Sequence, residues 1–122
     1  MGFKLATKVK SIGPCAMDFL EDGLLVLFGE EVPETIGDHC YIIGPHTLCG
    51  AIELGDVMST DDAKCVVSVV GDCANENYEN LGHVTLGFGD PSKEEVLGGA
   101  IGLREALFGS PKAGSKIEMA TA

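Results

Sequence analysis

The sequence predicts a mainly β domain, a barrel or sandwich of six or more short strands with few helices. Three observations carry that expectation. Seventeen glycines cut the 122 residues into short segments. The segments between them are rich in β-branched and other apolar residues. Helical periodicity is confined to stretches of one or two turns. All-β chains with many short strands and glycine-rich turns build barrels or sandwiches.

The elements follow in order. LATKVKSI, residues 5–12, alternates loosely and reads as a first strand. GPCAMDFLEDG, 13–23, is a break followed by one helical turn. LLVLF, 24–28, is continuously apolar, as expected of a strand covered on both faces. PETIGDHC, 33–40, places Pro33 at a first helical position with acids in the first turn, and is one or two turns long. YII, 41–43, and HTLCGAIEL, 46–54, read as two strand segments broken by the Gly44-Pro45 turn. KCVVSVV, 64–70, is a strand. DCANENYEN, 72–80, reads as a short helix capped at Asp72. HVTLGF, 83–88, and SKIEMA, 115–120, are the last strands. Residues 89–113 are rich in Gly and Pro, with LREALF as a helical turn, and no internal repeat is visible.

Length and composition limit the function. A chain of 122 residues fits one domain, spanning residues 1–122. It buries roughly two thirds of its unfolded surface and needs no metal or disulfide to stay folded. Eight Lys and Arg against 19 Asp and Glu give a formal charge of −11. That charge repels phosphate backbones and anionic lipids, so neither nucleic acid nor membrane is an expected partner. The basic residues are scattered, with no two adjacent. MGFKLATKVK lacks the apolar core of a signal peptide. No apolar run approaches the ~18 residues of a membrane span. Five cysteines, an odd number without a CxxC pair, suit buried free thiols in a reducing cytoplasm.

Chemistry-bearing residues are few. His39, His46 and His83 are the three histidines. On a strand, His83, Thr85 and Gly87 share one face, opposite Val84, Leu86 and Phe88, which form the core face. His83 thus lies on the polar side beside a hydroxyl. His46 follows the Gly44-Pro45 turn, and Gly44 and Gly50 let an anion approach the main chain closely. For either histidine alone, the commoner reading is a plain turn or strand residue. His39, Cys40, His46 and Cys49 offer soft ligands, but in no common zinc spacing. Cys15 and Cys73 have no adjacent cation or histidine to activate a thiol. GxSxG, Walker and GxGxxG motifs are absent, and the Asp61-Asp62 and Glu94-Glu95 pairs read as solvated loop charges.

Several stretches together carry a family resemblance. NLGHVTLGF, 80–88, and VGDCANEN, 70–77, are the strongest. Ser11-Ile12-Gly13 with Ala16, CYI at 40–42, and Leu48, Gly50 and Ala51 add to them. The chain resembles the glucitol/sorbitol-specific enzyme IIA component of the bacterial phosphotransferase system over nearly its whole length. The resemblance implies a small mixed β-barrel, here of about six strands with one or two short helices. It implies a histidine that accepts phosphate from the histidine phosphocarrier protein and passes it to a IIB domain, serving the IIC transporter during sugar uptake. No cofactor, no bound metal and no membrane insertion are expected. An ungapped match puts the family's phosphorylated histidine at Ile43, which cannot accept phosphate. The next imidazole is His46, three residues on. His83 matches the histidine of the family's LGH and is expected as its partner or substitute.

Phosphoryl transfer to histidine asks for placement and charge neutralisation. One ring nitrogen must be bare, and the other donates to a fixed acceptor. Gly44, Thr47 and Thr85 are the expected donors around the phosphate, with His46 and His83 as the reacting pair. The chain's one arginine, Arg104, is remote in sequence. The alternative expectation is a relative that is not phosphorylated and acts as a binding or regulatory module, with Ile43 as the feature favouring it. A metal-bound domain using His39, Cys40, His46 and Cys49 is a weaker third.

Overall fold

The computed structural model describes residues 3–61, 63–107 and 109–121. Its strands are β1 (Leu5–Ile12), β2 (Leu24–Phe28), β3 (Tyr41–Ile43), β4 (Val57–Thr60), β5 (Ala63–Val70), β6 (Val84–Gly87), β7 (Ala100–Leu103) and β8 (Lys116–Ala120). Among the described residues, three short helices, α1 (Ala16–Glu21), α2 (Glu34–Gly37) and α3 (Ala74–Leu81), and a single 3-10 turn at Lys93–Glu95 connect them. The strands close into a barrel in the order β1-β3-β2-β6-β7-β5-β4-β8, and β8 returns to β1. Two neighbouring pairs, β2 with β3 and β6 with β7, run parallel, and the others are antiparallel. The barrel is therefore mixed and mainly β, with eight strands where about six were expected.

Strand alternation sets the interior. On β1, Leu5, Thr7 and Val9 are buried while Ala6, Lys8 and Lys10 face out. On β8, Ile117 and Met119 point in. On β6, Val84 and Leu86 point in, as the period-two reading of this stretch expects. β2 departs from expectation. Its inner residues Leu25 and Leu27 are buried, but Leu24 is exposed, so LLVLF is not covered on both faces along its length.

Other differences have local causes. HTLCGAIEL has strand composition but runs as a loop. Its backbone groups are taken by side chains and by the chain preceding β1, not by a neighbouring strand: Asn75 holds both polar groups of Ile52, and Cys49 N–H donates to Lys4 O. β4 was not foreseen because Val57–Thr60 is short and lies between acidic turns. It exists because β5 and β8 flank it on both sides. β7 lies in the Gly- and Pro-rich stretch, where glycines hide a strand that is central in the closed sheet. The expected helical turn at LREALF is absent through residue 107: Leu103 ends β7 and a bend follows, and Phe108 lies outside the described residues. α3 begins one residue beyond Cys73, with no side-chain cap from Asp72.

The fold contains a repeat that the sequence does not show. A strand, a helix, a second strand, a short helical turn and a third strand occur first as β1-α1-β2-α2-β3 and again from β5 to β7. In each unit the first strand is antiparallel to the third, with a bulge, at Val9/Ser11 and at Val67/Val69. Gly13 N–H donates to Cys40 O, and Gly71 N–H donates to Ala100 O in the matching place. A Cβ at either glycine would lie 2.2 or 2.3 Å from a carbonyl oxygen of the facing loop, so only glycine fits. The shared signature shrinks to IGPCA and VGDCA, too short to declare itself. The second strands of the two units, β2 and β6, pair antiparallel across the join.

Candidate functional site

The barrel rim after β3 carries the candidate site. Gly44 N–H donates to Lys8 O at 3.0 Å, which completes the pairing of β1 with β3. Pro45 has no N–H to continue a ladder, so the chain leaves the sheet and His46 lies half-buried at the rim. The following loop is tied down from three sides. Cys49 N–H donates to Lys4 O at 2.8 Å. The Lys4 ammonium donates to Ala51 O at 2.9 Å, Glu53 Oε1 at 3.0 Å and Asp56 Oδ2 at 2.8 Å. Asn75 of α3 accepts from Ile52 N–H at 2.7 Å and donates to Ile52 O at 3.2 Å. The carboxylate of Asp56, then that of Glu53, holds the Lys4 ammonium above the usual lysine range against the desolvation that would lower it.

α3 also holds the imidazole itself. The last carbonyls of a helix have no partner within it. At this end Gly82, left-handed at φ +70°, closes the helix by donating to Tyr78 O at 2.7 Å. Leu81 O accepts from Gly29 N–H at 3.0 Å. Glu79 O lies 3.0 Å from His46 Nδ1. A carbonyl only accepts, so Nδ1 carries the proton and the neutral ring leaves Nε2 bare. The Cδ2–Nε2 edge lies over Gly29 and Gly82: a Cβ at either residue would stand 3.1 Å from Cδ2. The Tyr78 ring meets the imidazole edge-on, with centroids 6.4 Å apart.

His46 lines a cleft of about 630 Å³ together with Lys10, Phe28, Glu30, Glu31, Gly44, Pro45, Thr47, Glu79, Asn80 and Leu81. Three of the five expected site residues, Gly44, His46 and Thr47, therefore meet in one cleft. Thr47 is exposed there. Gly44 contributes space, since its N–H is already bonded to Lys8 O. Thr85 lies half-buried on β6 between Val26 and Ala100 and is not among the cleft's lining residues. His83 is outside that lining as well. Its Nδ1 lies 3.3 Å from Leu27 O, and its ring stacks on Phe28 at 4.6 Å. Phe28 does line the cleft, so His83 adjoins the site through that ring.

Sequence reasoning did not find Lys10, Gly29, Gly82 or the Glu79 carbonyl. Only the glycines left a trace, as punctuation after β2 and α3. Ile43, where the ungapped match puts the family's acceptor, is fully buried opposite Val9, so a side chain there meets no partner. The His39, Cys40, His46 and Cys49 set does not gather. The His39 ring lies tilted against Phe19, with centroids 5.2 Å apart, and the buried Cys40 thiol donates to Ile36 O at 3.3 Å. Among the described residues no three His, Cys, Asp or Glu side chains form a group suited to a metal.

Known proteins share this build. The sequence model of the PTS system glucitol/sorbitol-specific IIA component matches residues 4–118. The PTS system glucitol/sorbitol-specific EIIA component of Escherichia coli (strain K12) is 35% identical over 92 residues, 75% of each chain. Its counterpart from Shigella flexneri matches to the same extent, 35% over 92 residues. The crystal structure of a PTS system IIA component from Enterococcus faecalis V583 superposes with a TM-score of 0.85 at 25% identity, covering 95% of this chain and 99% of that one. Fold and matches define a component of a sugar-transport phosphotransferase system. Within that class, the chain belongs to the glucitol/sorbitol-specific IIA family. Membership implies partners among the other components of that system. Among the described residues no helix is long and apolar enough to cross a membrane.

Proposed function

We propose that this protein is the phosphocarrier of a glucitol/sorbitol uptake system, accepting a phosphoryl group on His46 Nε2 from the cytoplasmic histidine phosphocarrier protein and passing it to a IIB domain. One observation carries the reading: an imidazole at the edge of an open cleft with its Nδ1 3.0 Å from the Glu79 carbonyl, a geometry that in the neutral ring puts the proton on Nδ1 and leaves Nε2 as the nucleophile. In the transfer the donor's P–N bond breaks and a P–Nε2 bond forms. No proton has to leave His46, because Nδ1 keeps its own. The fixed tautomer and the three-sided tether of the loop supply the placement that such a transfer needs. Thr47 is the hydroxyl in reach of the phosphoryl oxygens, and Gly44 provides the close approach. His83, in the same tautomer on Leu27 O, supports the site from behind Phe28.

The test is a reconstituted relay of enzyme I, phosphocarrier and phosphoenolpyruvate, read by intact mass under non-acidic conditions. One added phosphoryl group in the wild type and in His83→Ala, and none in His46→Ala, is the expected result. Labelling lost with His83 and kept without His46 would move the acceptor to His83.

A second reading has one observation in its favour. Glu30, Glu31 and Glu79 face a single lysine around the cleft, an unwelcoming field for phosphate. A binding or regulatory module would keep its partners when both histidines are replaced, and would take no label in the relay.

A further inference from the structure

The cleft holds one cation among its described lining residues, and its position in the sheet is unusual. β1 pairs with β3 as Val9↔Ile43 and then Ser11↔Ile42. Lys10 is therefore the extra residue of a β-bulge, the kind of irregularity that re-aims a side chain. Its stem crosses Gly44, where a Cβ would stand 3.3 Å from Lys10 Cε. Its ammonium lies 3.8 Å from Glu30 Oε1, with the two side chains 56% and 62% exposed. An ion pair that exposed is weakly held and easily exchanged. A phosphoryl group carries more charge than one carboxylate and offers three acceptor oxygens.

We propose that Lys10 is the catalytic cation of the phosphoryl transfer, leaving Glu30 to contact the phosphoryl oxygens at His46 Nε2. This rests on His46 as the acceptor and adds what that reading lacks, a neutralising charge at the reacting group. Glu30 acts as a placeholder that keeps the ammonium at the cleft between transfers. Gly44 is small so that the lysine stem can pass. The bulge places Lys10 at the cleft, whereas Lys8, two residues earlier on the same outer face, stands opposite Lys116 and outside the cleft.

The experiment uses phosphoramidate, a small phosphoryl donor that needs no protein partner. Its P–N bond breaks, the P–Nε2 bond forms and ammonia leaves. The full-length wild type is labelled at His46, and the initial rate is followed by intact mass. Lys10→Gln should label roughly tenfold more slowly, the effect of losing one charge-assisted contact to a transferring oxyanion. Lys10→Arg should stay within about threefold of the wild type, because the charge remains. Lys8→Gln removes equal charge outside the cleft and should change the rate less than about twofold. Glu30→Gln should speed labelling, and should do so less when Lys10 is already glutamine. An unchanged rate in Lys10→Gln overturns the proposal while leaving His46 as acceptor. An equal fall in Lys8→Gln makes the effect general electrostatics and overturns it too. No label on wild-type His46, with label elsewhere or nowhere, removes both the acceptor and its cation. Lys10 is exposed, so the substitutions leave the core untouched.

Discussion

At the scale of single residues, the site depends on what is missing around His46. A Cβ on Gly29 would stand 2.7 Å from Leu81 O and 3.1 Å from His46 Cδ2. Gly29→Ala must therefore push the ring off the Glu79 carbonyl or part β2 from the end of α3. We expect a loss of about 1–3 kcal/mol in urea denaturation, the usual cost of overpacking, together with slower labelling of His46. Full stability with normal labelling would contradict the seat described here. Tyr78 makes the opposite prediction. It is fully buried, and its hydroxyl has no partner among the described residues. Tyr78→Phe should be neutral or more stable by about 1 kcal/mol, and a loss of that size would mean the hydroxyl is bonded. The sequence placed His46, Gly44 and Thr47 near one another because they are neighbours along the chain. It could not place Lys10 or the Glu79 carbonyl, because their approach is set by a strand bulge and a helix end distant in sequence. The polar outer face of His83 was legible from alternation alone, but its stacking on Phe28 was not.

At the scale of elements, α3 is the part that organises the site. It offers Glu79 O to the ring and Asn75 to the loop that follows, so one helix fixes both the acceptor and its tether. Asn75→Ala leaves both polar groups of the buried Ile52 without a partner. We expect a loss of about 1–3 kcal/mol. Amide exchange should rise sharply at Ile52 while β1 and β5 stay protected, and uniform exchange across the barrel would argue against a local tether. The same loop shows why sequence reading fails in places. HTLCGAIEL looked like a strand because its composition suits one, yet its backbone groups are met by Asn75 and by the chain before β1. β4 and β7 were hidden for the converse reason: their sequences are unremarkable, and their neighbours on both sides impose the strand. The strands read correctly, β1, β2, β3, β5, β6 and β8, are those whose apolar residues announce themselves.

At the scale of the molecule, the barrel is two copies of one unit joined at β2 and β6 and closed by β4 and β8. Only the first copy carries an imidazole after its third strand. Lys4 and Tyr78 are two of the groups that link the fold to pH. Lys4 is held above its usual range chiefly by Asp56, and burial pushes the Tyr78 phenol well above its own. Both bind their proton more tightly folded than unfolded. Their contribution is complete below the unfolded values and is lost as pH rises towards the folded ones. Their share of the stability should therefore decline from roughly pH 10 upward, and the Tyr78 tyrosinate should appear only as the chain unfolds. In Tyr78→Phe the tyrosinate signal of the unfolded chain should fall to that of its one other tyrosine, Tyr41, and the alkaline decline should soften. An alkaline limb identical to the wild type would show that the phenol is not linked to folding.

The most direct test of the account is the chemical state of the His46 ring in the phosphorylated protein. Histidine labelled with nitrogen-15, followed by nuclear magnetic resonance before and after the relay, reports each ring nitrogen separately. The account predicts that the His46 Nε2 signal moves on phosphorylation while Nδ1 keeps its proton, and that the tautomer of His83 does not change. Phosphorus on His46 Nδ1, or on either nitrogen of His83, would contradict it.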